Sequence, residues 1–418
     1  MSFGKLTVKH AFGMNTKIKN CLQFVDDHQL VYVCGHQVVV MNTENKDQSF
    51  ITGTTQPYLS LGISAIACSV SKKTIAIAEI VEPLGMVAFF DSQTLRRKKV
   101  LQYSELGSRE IRCMAFSADG RLCLTQGAGP EWNLVLWNIE KSVKVIGSVK
   151  ISMSDDNPVH QVSFCPWDSN VIIVIGKGLV RIFRITEGQL RPVSMNTRRD
   201  HANFISHTWL WDDKLLLGTE GGEIVLLEGL EFRAVVNPQI ADGNGADPAC
   251  PIFSLSATAK GFVAGTTDGQ IWSFCAEEDT KEQYKREETY NLPKADGGIV
   301  CIAVTTDDSL MCAVDSQQLY HFTVTNANVT KDGASNAYDY LFTGFHRNNP
   351  TTGETAITGI DVALWKPIAV TCGKDYSVRV WNLLDRRIET TKFFSEEPSA
   401  ITIHPSGLYV AIAFSDRI

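Results

Sequence analysis

Four pairs of adjacent carboxylates are the first places in this 418-residue sequence where acid–base chemistry could reside: Asp26-Asp27, Asp155-Asp156, Asp212-Asp213 and Asp307-Asp308. General acid–base work on a substrate needs two carboxylates converging on one cavity. Three of these pairs instead occupy one position of a repeated unit, between two apolar runs, where Asp serves turn geometry. The nine histidines show no H-x-x-x-H spacing and the eleven cysteines no C-x-x-C pair, so no zinc site is suggested. G-x-S-x-G, G-x-x-x-x-G-K-[ST] and G-x-G-x-x-G are absent, and Gly176-Lys177-Gly178 reads as a turn. The sequence therefore offers no catalytic residue, no cofactor-binding residue, no cofactor and no metal ligand.

Two other clusters could bind a partner. His207-Thr208-Trp209 is one, but Trp209 and Trp211 alternate and so share a strand face, which favours packing against a neighbouring sheet. The basic run Arg96-Arg97-Lys98-Lys99 could meet an acidic partner. Its position at an outer strand reads more simply as a solvated guard of a sheet edge.

The elements that must position these residues follow from composition and periodicity. Hydrophobic residues make up 44% and charged residues 20%, with a net charge of -7, which fits a globular chain and argues against sequence-blind nucleic-acid binding. The longest apolar stretch, residues 171–183, is broken by Lys177 and Arg181 and is too short to span a bilayer. Residues 1–13 lack the apolar core of a signal peptide. Most cysteines fall inside apolar runs, which reads as free thiols in a reducing compartment.

One unit recurs. An apolar strand, a turn rich in Asp, Ser, Gly or Pro, a second strand, another turn and a third strand ending in a bulky residue make up each copy. Residues 111–137 show it clearly, with the turn Ser117-Ala118-Asp119-Gly120 and the closing run Leu134-Val135-Leu136-Trp137. Third strands end at Val40, Phe89, Trp137, Phe183, Leu227, Phe274 and Phe322, roughly 44–49 residues apart, close to a propeller blade. An eighth copy ends at Trp381 after a wider gap, and a ninth starts at Ala400. The charged segment 277–288 lacks an apolar stripe and reads as a loop or an outer strand.

Each unit is apolar on both faces, as in Val171-Ile172-Ile173-Val174-Ile175, and so needs a neighbour on each side. Radial stacking supplies both. The expected fold is all-β: a seven-bladed propeller over residues 1–333, followed over residues 334–418 by the first blades of a second. A strand at residues 6–12 is expected to seal the first ring as its outer edge, and residues 338–345 to play that opening role for the second. One eight-bladed ring is the alternative. The chain ends within a strand pair and is expected to be part of a longer protein.

The unit resembles the WD repeat. Trp137-Asn138 and Trp381-Asn382 match its closing pair with Asn for Asp, and Asp375 stands where the family's turn Asp stands. Most copies replace the Trp, so the family's Asp-His-Ser-Trp network is expected to be incomplete in most blades. A closer likeness lies in an ordered series of phrases. These are His10-Ala11-Phe12-Gly13, Met114-Ala115-Phe116-Ser117, residues 157–164, His207-Thr208-Trp209, Arg379-Val380-Trp381-Asn382 and His404-Pro405-Ser406-Gly407. Together they resemble the cilia- and flagella-associated protein 57 family, also called WD-repeat-containing protein 65, over essentially the whole chain. That resemblance implies a non-enzymatic scaffold of the axoneme in cilia and flagella, whose contacts with axonemal, inner dynein arm or doublet-microtubule proteins anchor or assemble inner dynein arms on doublet microtubules. It also implies oligomerisation through a coiled coil outside this chain. A cytosolic WD-type adaptor outside cilia and a propeller enzyme are the other readings.

Overall fold

The computed structural model describes residues 7–53, 59–102, 104–152, 157–195, 198–199, 201–236, 250–277, 283–292, 297–323, 338–342, 346 and 356–417. Among them the only helical element is one 3-10 turn, Ser104–Leu106; everything regular besides is antiparallel strand. No helix of the described residues is long and apolar enough to cross a membrane.

The chain forms two compact units. One comprises Asn15–Asp315 with His321–Asp339, the other Met1–Met14, Ser316–Tyr320 and Tyr340–Ile418. Consecutive strands pair with their chain neighbours, because turns of a few residues leave no other partner within reach. Seven four-stranded sheets arise in this way before residue 343. Their first strands are Leu22–Asp26, Gly62–Cys68, Ile111–Phe116, Val159–Phe164, Phe204–Leu210, Ile252–Thr258 and Ile299–Val304. Each of these touches the next, and the seventh touches the first, which closes a ring.

Neighbouring first strands stand too far apart to pair, so side chains stitch them. Gln23 donates to Ile66 O at 3.2 Å and accepts from Cys68 N at 2.5 Å. Gln161 spans the fourth and fifth sheets in the same manner at 3.4 and 3.2 Å, through His207 O and N. Thr306 Oγ1 donates to Asp27 Oδ1 at 2.8 Å between the seventh and the first. Apolar layers fill the remaining space; Leu134, Leu136, Val162, Phe164, Ile172 and Phe183 form one such layer between the third and fourth sheets. Each fully buried aliphatic side chain contributes about 1.5–3 kcal/mol, so these layers carry most of the stability.

Ring closure differs from the expectation. The fourth strand of the seventh sheet is Tyr338–Phe342, and residues 7–14 form no strand. With that edge already filled, residues 7–12 have nothing to pair with there, and Leu6, where the expected strand began, lies outside the described residues. Phe12 instead packs on Trp381 at 4.6 Å between ring centroids, and His10 meets Phe12 at 4.5 Å, all within the second unit. That unit contains the eighth sheet, Ile357–Val362, Ile368–Gly373, Ser377–Asn382 and Arg387–Phe393, with a strand pair, Ala400–Ile403 and Val410–Ala413. Val370, Cys372, Val378, Ile401 and Ile403 form its core.

Candidate interaction surface

A repeated irregularity shapes the centre of the ring. In six consecutive sheets the first strand carries a bulge at its second or third residue, leaving Ser64, Arg112, His160, Ile205, Phe253 or Val300 without an opposite partner. A bulge re-aims the extra side chain. All six line one central cavity of about 650 Å³, together with residues 15–19, which occupy the channel. Lys19 Nζ donates to Phe253 O at 2.7 Å, and burial pushes its ammonium below the ordinary lysine value. Arg112 lies 3.4 Å from Glu110. His160 Nε2 is 3.1 Å from Asn203 Oδ1, and Asn203 donates to Glu220 at 3.0 Å. The channel hydroxyls turn to carbonyls, Thr16 to Asp315 O and Ser64 to Ala78 O, each at 3.5 Å. These groups line the channel, where the His160 ring is paired with the Asn203 amide. Among the described residues no three His, Cys, Asp or Glu side chains stand so as to hold a metal ion.

The sequence clusters fall as follows. His207 is 3% exposed and joins two sheets: its Nε2 lies 2.6 Å from Ser163 Oγ, which also accepts from Trp209 Nε1 at 2.9 Å. Burial lowers the His207 pKa to about 3, with Lys19 adding to the effect, so the imidazole is neutral and structural. The packing reading of Trp211 fails: the strand stops at Leu210, and Trp211 is 73% exposed. Lys98 pairs with Asp91 at 2.6 Å, and Lys99 donates to Ile139 O at 2.6 Å, within or beside the outer strand Arg97–Leu101. Asp26-Asp27, Asp212-Asp213 and Asp307-Asp308 occupy the turns after three first strands. Positive φ at Asp212, Asp213 and Asp308 fits that role. Asp155-Asp156 lies outside the described residues. All eleven cysteines are free thiols. Tyr284–Asn291, at the end of the charged segment, is an outer strand.

The second unit holds a side-chain network that sequence reasoning missed. His346 Nδ1 is 2.8 Å from Asp375 Oδ1, and its Nε2 is 2.9 Å from Thr371 Oγ1. Trp381 Nε1 donates to Thr371 Oγ1 at 2.8 Å, and Ser377 Oγ donates to Asp375 at 2.8 Å. Arg379 adds an ion pair to Asp375 at 3.2 Å. The third sheet has the corresponding Trp–Thr link, Trp137 Nε1 to Thr125 Oγ1 at 2.8 Å. The signal for His346 was the run Gly344-Phe345-His346, a Gly-His-like phrase ahead of the eighth sheet.

Four-stranded sheets closed in a ring about a central cavity, and in the second unit a His-Asp-Thr-Trp network, define a WD-repeat β-propeller protein. A chain from the mitotic checkpoint complex crystal structure shares the fold, with TM-score 0.59 and 12% identity over 78% of this chain and 100% of that one. The chain belongs to the CFAP43 N-terminal domain family, whose model matches residues 10–290, and over nearly its whole length it is similar to curated cilia- and flagella-associated protein 57 chains. Mouse cilia- and flagella-associated protein 57 is 27% identical over 98% of this chain and 36% of its own length. Cilia- and flagella-associated protein 57 A of Tetrahymena thermophila is 24% identical over 99% and 35%. The chain thus spans about a third of the curated relatives it matches.

Proposed function

We propose that this chain is the protein-binding part of a ciliary or flagellar scaffold that anchors inner dynein arms on doublet microtubules in the axoneme, and that it is not an enzyme. The observation that carries the scaffold reading is the stitched ring with residues 15–19 in its channel, which leaves the turns at its two rims for partners. Rigid turns have already met the ordering cost of binding, so modest patches suffice. The ciliary address rests on relatives named for cilia and flagella. The boundary near residue 333, and a second propeller begun by residues 334–418, belong to the same proposal. Ile360 and Val362 on the inner strand of the eighth sheet are 66% and 53% exposed, as expected of a sheet that takes another blade beside it. The test is the full-length protein, tagged at its own locus in a ciliated cell, with inner-arm content of isolated axonemes measured after its loss. Axonemal signal and lost arms support the reading. Arms and motility that survive the loss overturn it in favour of an adaptor acting elsewhere.

A further inference from the structure

On one rim of the ring, the turns after the first strands of the fourth and fifth sheets present tryptophan to water. Trp167 is 42% exposed and Trp211 is 73% exposed. Half-buried Trp209 meets Trp167 edge-on at 5.7 Å and is anchored through its Nε1 to Ser163. Large aromatic side chains held by a rigid base and left in solvent are the composition of an interaction hot spot.

The same two turns carry Asp168, Asp212 and Asp213. Arg184 lies 3.6 Å from Asp168 and offsets it in part. Among the described residues no ion pair joins Asp212 or Asp213 to a cation. Lys214 follows Asp213, its ammonium 5.9 Å from the Tyr284 ring centroid; with Asp168, Asp212 and Asp213 set against Arg184 and Lys214, the patch combines aromatic faces with a surplus of one negative charge.

We propose that this rim patch docks a cationic segment of a partner protein, an arginine stacking on the exposed indoles while the carboxylates receive its charge. Indole faces attract cations, and the planar, weakly hydrated guanidinium stacks on them better than an ammonium does. The carboxylates turn away an acidic tail. The proposal rests on the protein-binding reading of the chain and is independent of its cellular address, so loss of inner arms neither supports nor opposes it.

The test is fluorescence anisotropy of the full chain with labelled synthetic peptides of equal length, one Arg/Ser, one Glu/Ser and one Leu/Ser. The Arg/Ser peptide is expected to bind, more weakly as salt rises. Trp211→Ala should weaken it by roughly three- to thirty-fold, the range that a cation–π contact spans. Asp212→Asn/Asp213→Asn should weaken it comparably while preserving the turn, because Asn tolerates the positive φ of 63° and 57° at these positions. The same charge change at Asp307→Asn/Asp308→Asn should leave binding unaltered. Unchanged melting curves show that each variant is folded. Equal affinity for the Trp211→Ala chain, equal loss from the Asp307/Asp308 pair, preference for the Glu/Ser or Leu/Ser peptide, or no binding of Arg/Ser overturns the proposal.

Discussion

Spacing between sheets in the ring is set in part by glycine, and adding one methyl group tests this. Gly265 lies in the second strand of the sixth sheet, Gly261–Thr266, facing Ile299 of the seventh, which is 1% exposed. A Cβ on Gly265 would stand 2.5 Å from Ile299 Cγ2 and 3.1 Å from Ile302 Cδ1. One repeat earlier, Gly218 has the same relation to Ile252, at 2.9 Å. Carbon atoms pack at about 3.5–4.0 Å, so Gly265→Ala demands a movement of about 1 Å between two close-packed layers. Overpacking of this kind costs about 1–3 kcal/mol. The smaller unfolded-state entropy of Ala returns about 0.5–1 kcal/mol. The two ranges leave a net loss of up to about 2.5 kcal/mol, centred on about 1 kcal/mol, which lowers the melting temperature by up to roughly 4 °C in a unit of this size. Thermal unfolding followed by circular dichroism reads it. Ile299→Val keeps Cγ2 and should give no relief. Ile299→Ala removes it, and the double variant should lose less than the sum of the single losses. A Gly265→Ala chain as stable as the parent, or equal behaviour of the Val and Ala partners, would refute the argument.

Three further outcomes follow from other sites. His207 titrates near 3 when folded against an ordinary 6.5, so its contribution is complete above pH 6.5 and drains away as pH falls toward 3, at up to about 1.4 kcal/mol per unit. His207→Gln should flatten the acid limb of stability measured by urea unfolding across that range; an unaltered limb counts against it. Trp137→Phe strands the buried Thr125 hydroxyl and should cost about 1–3 kcal/mol, partly recovered by adding Thr125→Val, as judged from melting curves. Deleting residues 1–13 removes Phe12 from Trp381, and hydrogen exchange should quicken in residues 356–417 while residues 22–236 keep their protection. Loss of protection in the latter would restore the N-terminal strand to the first ring.

The repeat was legible because short apolar strands recur at a near-constant spacing and the turns between them are rich in Asp, Ser, Gly or Pro. Arg96 to Lys99 read correctly as an edge because a run of cations suits a solvated outer strand. The fate of residues 6–12 was not legible, since a short alternating run suits any open sheet edge. Which edge is open depends on Tyr338–Phe342, some three hundred residues away. Trp211 was misread because alternation assumes that the strand continues, whereas two positive-φ residues, Asp212 and Asp213, bend the chain at once. His346 escaped notice because it stands 29 residues before Asp375, outside any strand. The bulges leave no trace in hydrophobic pattern, since one extra residue merely offsets the count.

Those six bulges separate two demands that usually collide. The buried residues of a first strand answer to a neighbouring layer and can change only at the expense of the fold. The bulged residue has no opposite number in its ladder, and the six differ freely as serine, arginine, histidine, isoleucine, phenylalanine and valine. Evolution can therefore retune the polarity, charge and bore of the axial opening one sheet at a time, while the architecture around it stays as it is.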